Sequence, residues 1–380
     1  MSFGNDSGVV AIANNRLSAT GTVRKSIEIA RALKQAGIPV ELWVTVAGGE
    51  LWNEAGDVPV VVTGGDGGWR AIWALARALR VRSPRVLLSA GKHFHLRAVL
   101  GLQLSGRRRH TCFVGRASNS LVRPESTPRQ TARSRLAQGA KYASMDQVIA
   151  PSRALAKEVA GLPGVGRAKR APAIVTIVNG VDAARIRELA AVPVRHRWLD
   201  DPGLRVAVTV GRVDRQKGID VLLRALARLP EEWRVIVVGT GKTSYLSALI
   251  PLVDRLGVKD RVDFVGYQAN PIAFVARADL FVLASRWEGA PNALLEALVC
   301  GAPIVASDCA GNREILREGA LGGLASVGDP VALAAAMMAE GGIARDAAAR
   351  AAMLAEVAIE RCVADYVAVL DPGCDRPAAP

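Results

Sequence analysis

Aromatic residues make up only 4% of this 380-residue chain. Proteins that hold single-stranded nucleic acid stack bases on aromatic rings, so this scarcity argues against a stacking platform. Cysteine is also sparse. Cys112, Cys300, Cys309, Cys362 and Cys374 are widely spaced, with no CxxC pair. That spacing supports neither a zinc site nor a disulfide framework, and free thiols are expected. No Asp-x-Asp cluster marks a metal site, so neither a metal nor another cofactor is expected. No run of about 18 uncharged apolar residues occurs, so no transmembrane helix is expected. The opening MSFGNDSGVVAIANNR lacks the basic start, apolar stretch and cleavage site of a signal peptide. A cytoplasmic location follows as the expectation, with attachment to the cytosolic face of a membrane as an option.

What is present is apolar residues and positive charge. A hydrophobic content of 50% and this length allow two domains. Strand-like apolar runs alternate with helix-like amphipathic segments, which argues for an α/β fold. The net charge is +14, unevenly placed. Residues 1–190 hold 28 Lys and Arg against 12 Asp and Glu, and the remainder 21 against 23. A basic half suits an anionic polysaccharide or anionic lipid headgroups. Charge alone also permits nucleic acid, but no recognition motif accompanies it, so none is expected as a partner.

The stretch with the most chemical content is residues 285–316, SRWEGAPNALLEALVCGAPIVASDCAGNREIL. The apolar run 280–284 reads as a buried strand leading into it. A polar break with Glu288, Gly289 and Ala290 follows. Pro291 then opens a helix, with Asn292 in its first turn, that runs to Cys300 and stops at Gly301. In a parallel sheet, ligands bind beyond the carboxyl ends of strands, where Glu288 lies. The helix start aims N–H groups at the same place, which favours a diphosphate. Glu296 follows about one turn in. Two carboxylates at such an edge suit the hydroxyls of a sugar or ribose.

Upstream, a strand over 205–210 runs into Gly211-Arg212-Val213-Asp214-Arg215-Gln216-Lys217-Gly218. Arg212 and Lys217, five apart in a glycine-bounded loop, form a diphosphate clamp in outline: a bidentate fork and a point charge. A strand over 233–238 ends at Gly239, a tight turn that suits the neighbourhood of a nucleotide. Another over 262–265 ends at Gly266. Residues 185–204 read as an irregular linker.

Glu288-x7-Glu296 within EGAPNALLEALVCGAPIVASD, together with the Arg212 and Lys217 loop, resembles the signature of retaining GT-B glycosyltransferases of family 4. The resemblance implies two Rossmann-like domains facing across a cleft. Residues 1–180 would take the acceptor and residues 181–355 the nucleotide sugar. Residues 356–372 would form a helix crossing back to the first domain, with 373–380 a tail. It implies that Arg212 and Lys217 neutralise a leaving diphosphate, that Glu288 holds the transferred sugar, and that Glu296 binds the ribose. It places Gly21, in the polar loop after the first strand, near the donor phosphates, although that loop holds fewer glycines than the family's. It sets the backbone at Gly266 against the base. It turns the segment with His93 and His95, where a strand becomes a helix, toward the sugar and acceptor, without choosing between the two. Arg116 and Asn119 stand at the same edge, followed by a Pro- and Arg-containing loop over 123–135. The implied partners are a nucleotide-diphosphate sugar and a glycan or lipid-linked acceptor of the bacterial cell envelope. A motif interior of Pro291-Asn292-Ala293-Leu294-Leu295 hints at an N-acetylhexosamine. An epimerase or hydrolase on the same fold, and a non-catalytic anion-binding scaffold, remain as alternatives at this point.

Overall fold

The computed structural model describes residues 8–18, 20–65, 67–121, 128–166, 171–340 and 345–370, without the side chains of Lys92, His93 and Pro128. These divide into two compact units. The first holds the described residues among 8–179 and those of 360–370, and the second those of 180–359.

Short β-branched runs, apolar on both faces, build a parallel sheet in each unit, as strands covered by helices on both sides require. In the first unit the strands are β1 (Val10–Asn14), β2 (Val40–Val44), β3 (Val60–Val62), β4 (Val86–Ser89), β5 (Cys112–Arg116), β6 (Gln147–Ala150) and β7 (Ala173–Thr176). Their spatial order is β3-β2-β1-β4-β5-β6-β7. In the second they are β8 (Arg205–Val210), β9 (Trp233–Val238), β10 (Val262–Gly266), β11 (Leu280–Leu283), β12 (Ile304–Ser307) and β13 (Gly323–Ala325). Their order is β10-β9-β8-β11-β12-β13. Each order reverses once, between β1 and β4 and between β8 and β11. Loops leaving adjacent strands diverge there, and a crevice opens at the carboxyl edge.

The apolar stripes of the helices close the cores. In the second unit Leu222, Leu226, Val235, Val282 and Met337 belong to one buried cluster. In the first, Ile12, Leu42 and Leu88 share a cluster with Cys362, Tyr366 and Leu370, all from the helix Ile359–Leu370. Burial pushes the Tyr366 hydroxyl up to about 12, although the charge of Arg116 draws it down.

Three expectations need correction. The supposed linker contains a helix, Ala183–Ala190. Asp182 Oδ1 caps it, accepting from Arg185 N at 2.8 Å, and Ile186 is its buried anchor. With one buried apolar residue in eight, its periodicity was too weak to read. The motif helix is Asn292–Cys300, with Pro291 just outside it as the N-terminal cap. Cys300, Cys309 and Cys362 are free thiols, but Cys112 is disulfide-bonded. Of the basic loop over 123–135, residues 123–127 lie outside the described residues, and the rest belongs to the helix Pro128–Ala143.

Candidate active site

The switch point of the second sheet gathers the charged residues singled out from the sequence. The loop after β8 turns through a short 3-10 segment, Arg215–Lys217, whose cap is Asp214. One oxygen of Asp214 accepts from Lys217 N at 3.2 Å, and the other lies 3.2 Å from Arg212 Nη1. The turn aims Lys217 at the loop after β11, the neighbouring strand. There Lys217 Nζ lies 2.7 Å from Glu288 Oε1. Ser285 Oγ donates to the same oxygen at 2.8 Å, and Gln216 Nε2 donates to Oε2 at 3.2 Å. Glu288 is 7% exposed. A charge taken out of water at such a place is tolerated only when its partner and its remaining lone pairs are all engaged. The three donors engage three of its roughly four acceptor sites.

Two further contacts fix this loop. Gln216 Nε2 also donates to Trp287 O at 3.0 Å. Ser307 Oγ, at the end of β12, donates to Ser285 O, and Asn312 Nδ2 donates to Ser307 O at 2.9 Å. Behind them, Arg286 forks onto Asp220 with two bonds of 2.8 Å, while its backbone N–H donates to Gln216 O at 2.7 Å. Burial would raise the Asp220 carboxyl, but Arg286 and the Tyr245 hydroxyl outweigh it, and the net position is below the usual carboxylate range. Gln216, Asp220, Ser285, Arg286, Ser307 and Asn312 were not assigned roles from the sequence. A polar residue flanking each motif loop was the only available signal.

Arg212 is the contrast. Its side chain is 59% exposed and pairs only with Asp214 among the described contacts. Gly211, Arg212 and Lys217, with Thr209 and Ile219, line a small hollow at the edge of β8. Gly211, Gly239 and Gly266 end the adjacent strands β8, β9 and β10, with Gly239 N donating to Gly266 O at 2.8 Å. At Gly239 the backbone needs glycine: φ is +137° and an added Cβ would stand 1.9 Å from Gly211 O. Gly289, Ala290 and Pro291 are buried and lead into the helix Asn292–Cys300, on which Asn292 and Glu296 are half-buried. Burial pushes the Cys309 thiol, beside this loop, up to about 11, which leaves it protonated near neutral pH.

The remaining candidates belong to the first sheet. Gly21 is the first residue of the helix Gly21–Gln35, whose cap Thr20 accepts from Val23 N at 3.4 Å. His95 lies on the helix Lys92–Leu104, beyond β4, the strand next to β1. It is 1% exposed, bonded through Nδ1 to Ser89 Oγ at 2.7 Å and packed 5.7 Å from the Tyr142 ring. Its Nδ1 is thereby engaged within the first unit. His93 is on the same helix, and its side chain lies outside the described residues. Arg116 is buried too, with Nη2 donating to Asn179 Oδ1 at 2.6 Å, whereas Asn119 is half-buried in the loop beyond β5. Arg212, Lys217 and Glu288 are thus linked through Asp214, and Gly211, Gly239 and Gly266 stand at the ends of adjacent strands. Among the described residues no three His, Cys, Asp or Glu side chains gather as a metal-binding group.

Comparison with known proteins matches the two halves of the chain separately. A family model for glycosyl transferases group 1 matches residues 205–339, and one for glycosyltransferase family 4 matches residues 19–185. An uncharacterised glycosyltransferase of Methanocaldococcus jannaschii is 36% identical over 115 residues, 29% of this chain and 28% of the relative. The N-acetylgalactosamine-N,N'-diacetylbacillosaminyl-diphospho-undecaprenol 4-alpha-N-acetylgalactosaminyltransferase of Campylobacter jejuni is 30% identical over 154 residues, 40% of each chain. The chain thus spans less than half the length of these curated relatives. Among solved structures, HepE of Anabaena in complex with UDP and glucose superposes with a TM-score of 0.78 at 19% identity, over 96% of this chain and 100% of the other. At that identity the likeness is one of fold. With a family 4 model matching the first half, a group 1 model matching the second, and a parallel sheet with alternating helices in each as in its structural neighbours, the chain is a glycosyltransferase of the family 4 type with the GT-B fold.

Proposed function

We propose that this protein transfers a sugar from a UDP-linked donor, with an N-acetylhexosamine as the favoured sugar, to a hydroxyl of a glycan or lipid-linked acceptor, with retention at the anomeric carbon. The observation that carries the reading is the Lys217–Glu288 pair, 2.7 Å apart at the switch point of the second sheet. A cation and a carboxylate so placed can divide a nucleotide sugar between them. Lys217 and Arg212 hold the diphosphate, and the charge that develops on the leaving group is matched by charges already in position. Glu288 accepts from a hydroxyl of the transferred sugar, Glu296 from the ribose, and the start of the helix Asn292–Cys300 faces the phosphates. Gly211, Gly239 and Gly266 let the strand ends approach the nucleotide.

In the first unit, Gly21 sits at a helix start suited to an anion. His95, whose Nδ1 is bonded to Ser89, and His93 both stay candidates for a substrate contact. The attacking hydroxyl loses its proton to a diphosphate oxygen as the glycosidic bond breaks on the same face, so no protein nucleophile is required. The UDP and glucose in the Anabaena structure and the lipid-linked substrate in the Campylobacter relative's name favour this donor and a cell-envelope acceptor.

Calorimetry of the purified protein with UDP, GDP and ADP tests the donor. Binding of UDP that is lost in Lys217→Met supports the reading, and no heat with any nucleoside diphosphate overturns it. Release of free sugar without an acceptor, and no transfer with one, would favour a hydrolase instead.

A further inference from the structure

The helix Gly68–Arg82, GWRAIWALARALRVR, turns one apolar face into the first unit and a second kind of face outward. Ala71, Ile72, Leu75, Ala76 and Leu79 are buried. Trp69 and Trp73 are 64% and 59% exposed. The chain's Trp43, Trp198 and Trp233 are buried, as large rings ordinarily are. At 100° per residue, Trp69, Arg80, Trp73, Arg77, Arg70 and Val81 fall within roughly 120° of the helix circumference. Val81 is also exposed, and the helix carries no acidic residue. Arg80 is tied to Leu104 O at 3.1 Å, but Arg70 and Arg77 have no ion-pair partner among the described residues. The helix begins after β3, so Trp69 lies toward the carboxyl edge of the first sheet. Val62, the last residue of β3, and Leu96, early in the helix Lys92–Leu104, are 47% and 50% exposed toward that same edge.

We propose that this Trp–Arg face is a docking surface for an anionic lipid bilayer, on which the helix Gly68–Arg82 lies in the plane of the headgroups. Indole rings partition to that depth, where the apolar body meets acyl chains and the N–H meets water. Arginines interleaved with them on one face pair with lipid phosphates, and an amphipathic helix binds through the sum of the two. A protein partner would need acidic complementarity to the arginines. A bilayer of anionic lipids offers that charge together with an apolar layer directly beneath it. Complementary charge and exposed rings on one arc are thus what select the occupant. The surface stands independently of the transfer reaction. Only its consequence, that a lipid-linked acceptor would arrive at the carboxyl edge of the first sheet, rests on the function proposed above.

The test is sedimentation of the full chain with vesicles of phosphatidylcholine alone and of phosphatidylcholine with phosphatidylglycerol, at two salt concentrations. Binding is expected only to the anionic vesicles, weakened by salt, with a blue shift of tryptophan emission. The Trp69→Ser/Trp73→Ser double variant should lose the blue shift and most of the binding. The Arg70→Gln/Arg77→Gln variant, which spares the rings, should bind roughly thirtyfold more weakly. Both variants alter exposed side chains and should keep the parent's circular dichroism melt and UDP heat, which separates failure here from failure of the donor reading. Equal sedimentation of parent and Trp variant would overturn the proposal. So would a concentration-dependent dimer that the Trp variant abolishes, or tryptophan quenching by a single-stranded oligonucleotide in preference to anionic vesicles.

Discussion

The two sheets offer the same opening at their switch points and fill it differently. Between β8 and β11 the loops are joined by charge: Lys217 from one meets Glu288 from the other, with Gln216 and Ser285 closing the remaining bonds. Between β1 and β4 the contacts are of another kind. Asn15 Oδ1 accepts from Arg97 at 2.6 Å, while Asn14 and His95 turn inward to Ser26 and Ser89. The second crevice therefore holds a dense, buried, mutually neutralised charge array that a charged ligand can reorganise. The first buries Asn14 and His95 and leaves Asn15 and Arg97 bonded at its exposed rim. A ligand that must be gripped by its diphosphate suits the second crevice.

Substitutions can break or sharpen this contrast. Glu288→Ala leaves Lys217 Nζ without its partner and should cost about 3–5 kcal/mol, read from urea melts. An unchanged midpoint would mean that Lys217 swings to solvent and that the array is not a structural unit. Gly239→Ala comes next. Its Cβ would collide with Gly211 O at 1.9 Å, with φ at +137°, for a loss of about 2–4 kcal/mol. Gly266→Ala is the control: its φ is +71° but nothing lies within 4 Å, so about 1 kcal/mol is expected. In the first sheet, His95→Ala should cost about 2 kcal/mol by opening a cavity under Ser89 and Tyr142, and leave the heat of UDP binding unchanged. A loss of UDP binding there would move His95 into the ligand site.

Arg286→Ala should cost about 2 kcal/mol, and this cost depends on pH. In the parent, the Asp220 carboxyl lies below its ordinary value because Arg286 and Tyr245 outweigh burial. That stability is present in full above the unfolded carboxylate value of about 3.9. It is lost as pH falls through the lower folded value. In the variant, burial acts with less opposition, so the difference between the two proteins should be constant near pH 7 and shrink below about pH 4. Melts between pH 3 and 7 measure it. A difference that persists at pH 3 would assign the loss to packing of the Arg286 stem.

Much of the framework was legible because buried parallel strands are short apolar runs. The bounds of β8 and β9 follow from 205–210 and 233–238 in this way. Ser152, a serine directly before the helix Arg153–Ala160, caps it by accepting from Leu155 N at 3.2 Å. The pairing of Lys217 with Glu288 was not, because they are 71 residues apart and meet only through the placing of β8 beside β11. Sequence marks which residues can bear charge, and sheet order decides which of them touch. The same limit applies to His95: its position after a strand was readable, but its direction into the core depends on Tyr142, which comes from another helix.

Arg212 gives the sharpest separation of fold from ligand. Its side chain is 59% exposed and held by Asp214 at 3.2 Å, so Arg212→Ala should change stability by no more than about 0.5 kcal/mol. A planar fork at the edge of β8 nevertheless suits a diphosphate, and charge-assisted bonds to phosphate should make UDP binding at least about tenfold weaker without it. Lys217→Ala, by contrast, should lose both, because its ammonium also neutralises Glu288. Calorimetry and melts on the two variants measure the split. If Arg212→Ala binds UDP as the parent does, the exposed cation belongs to the surface, and the diphosphate must be held by Lys217 and the helix start alone.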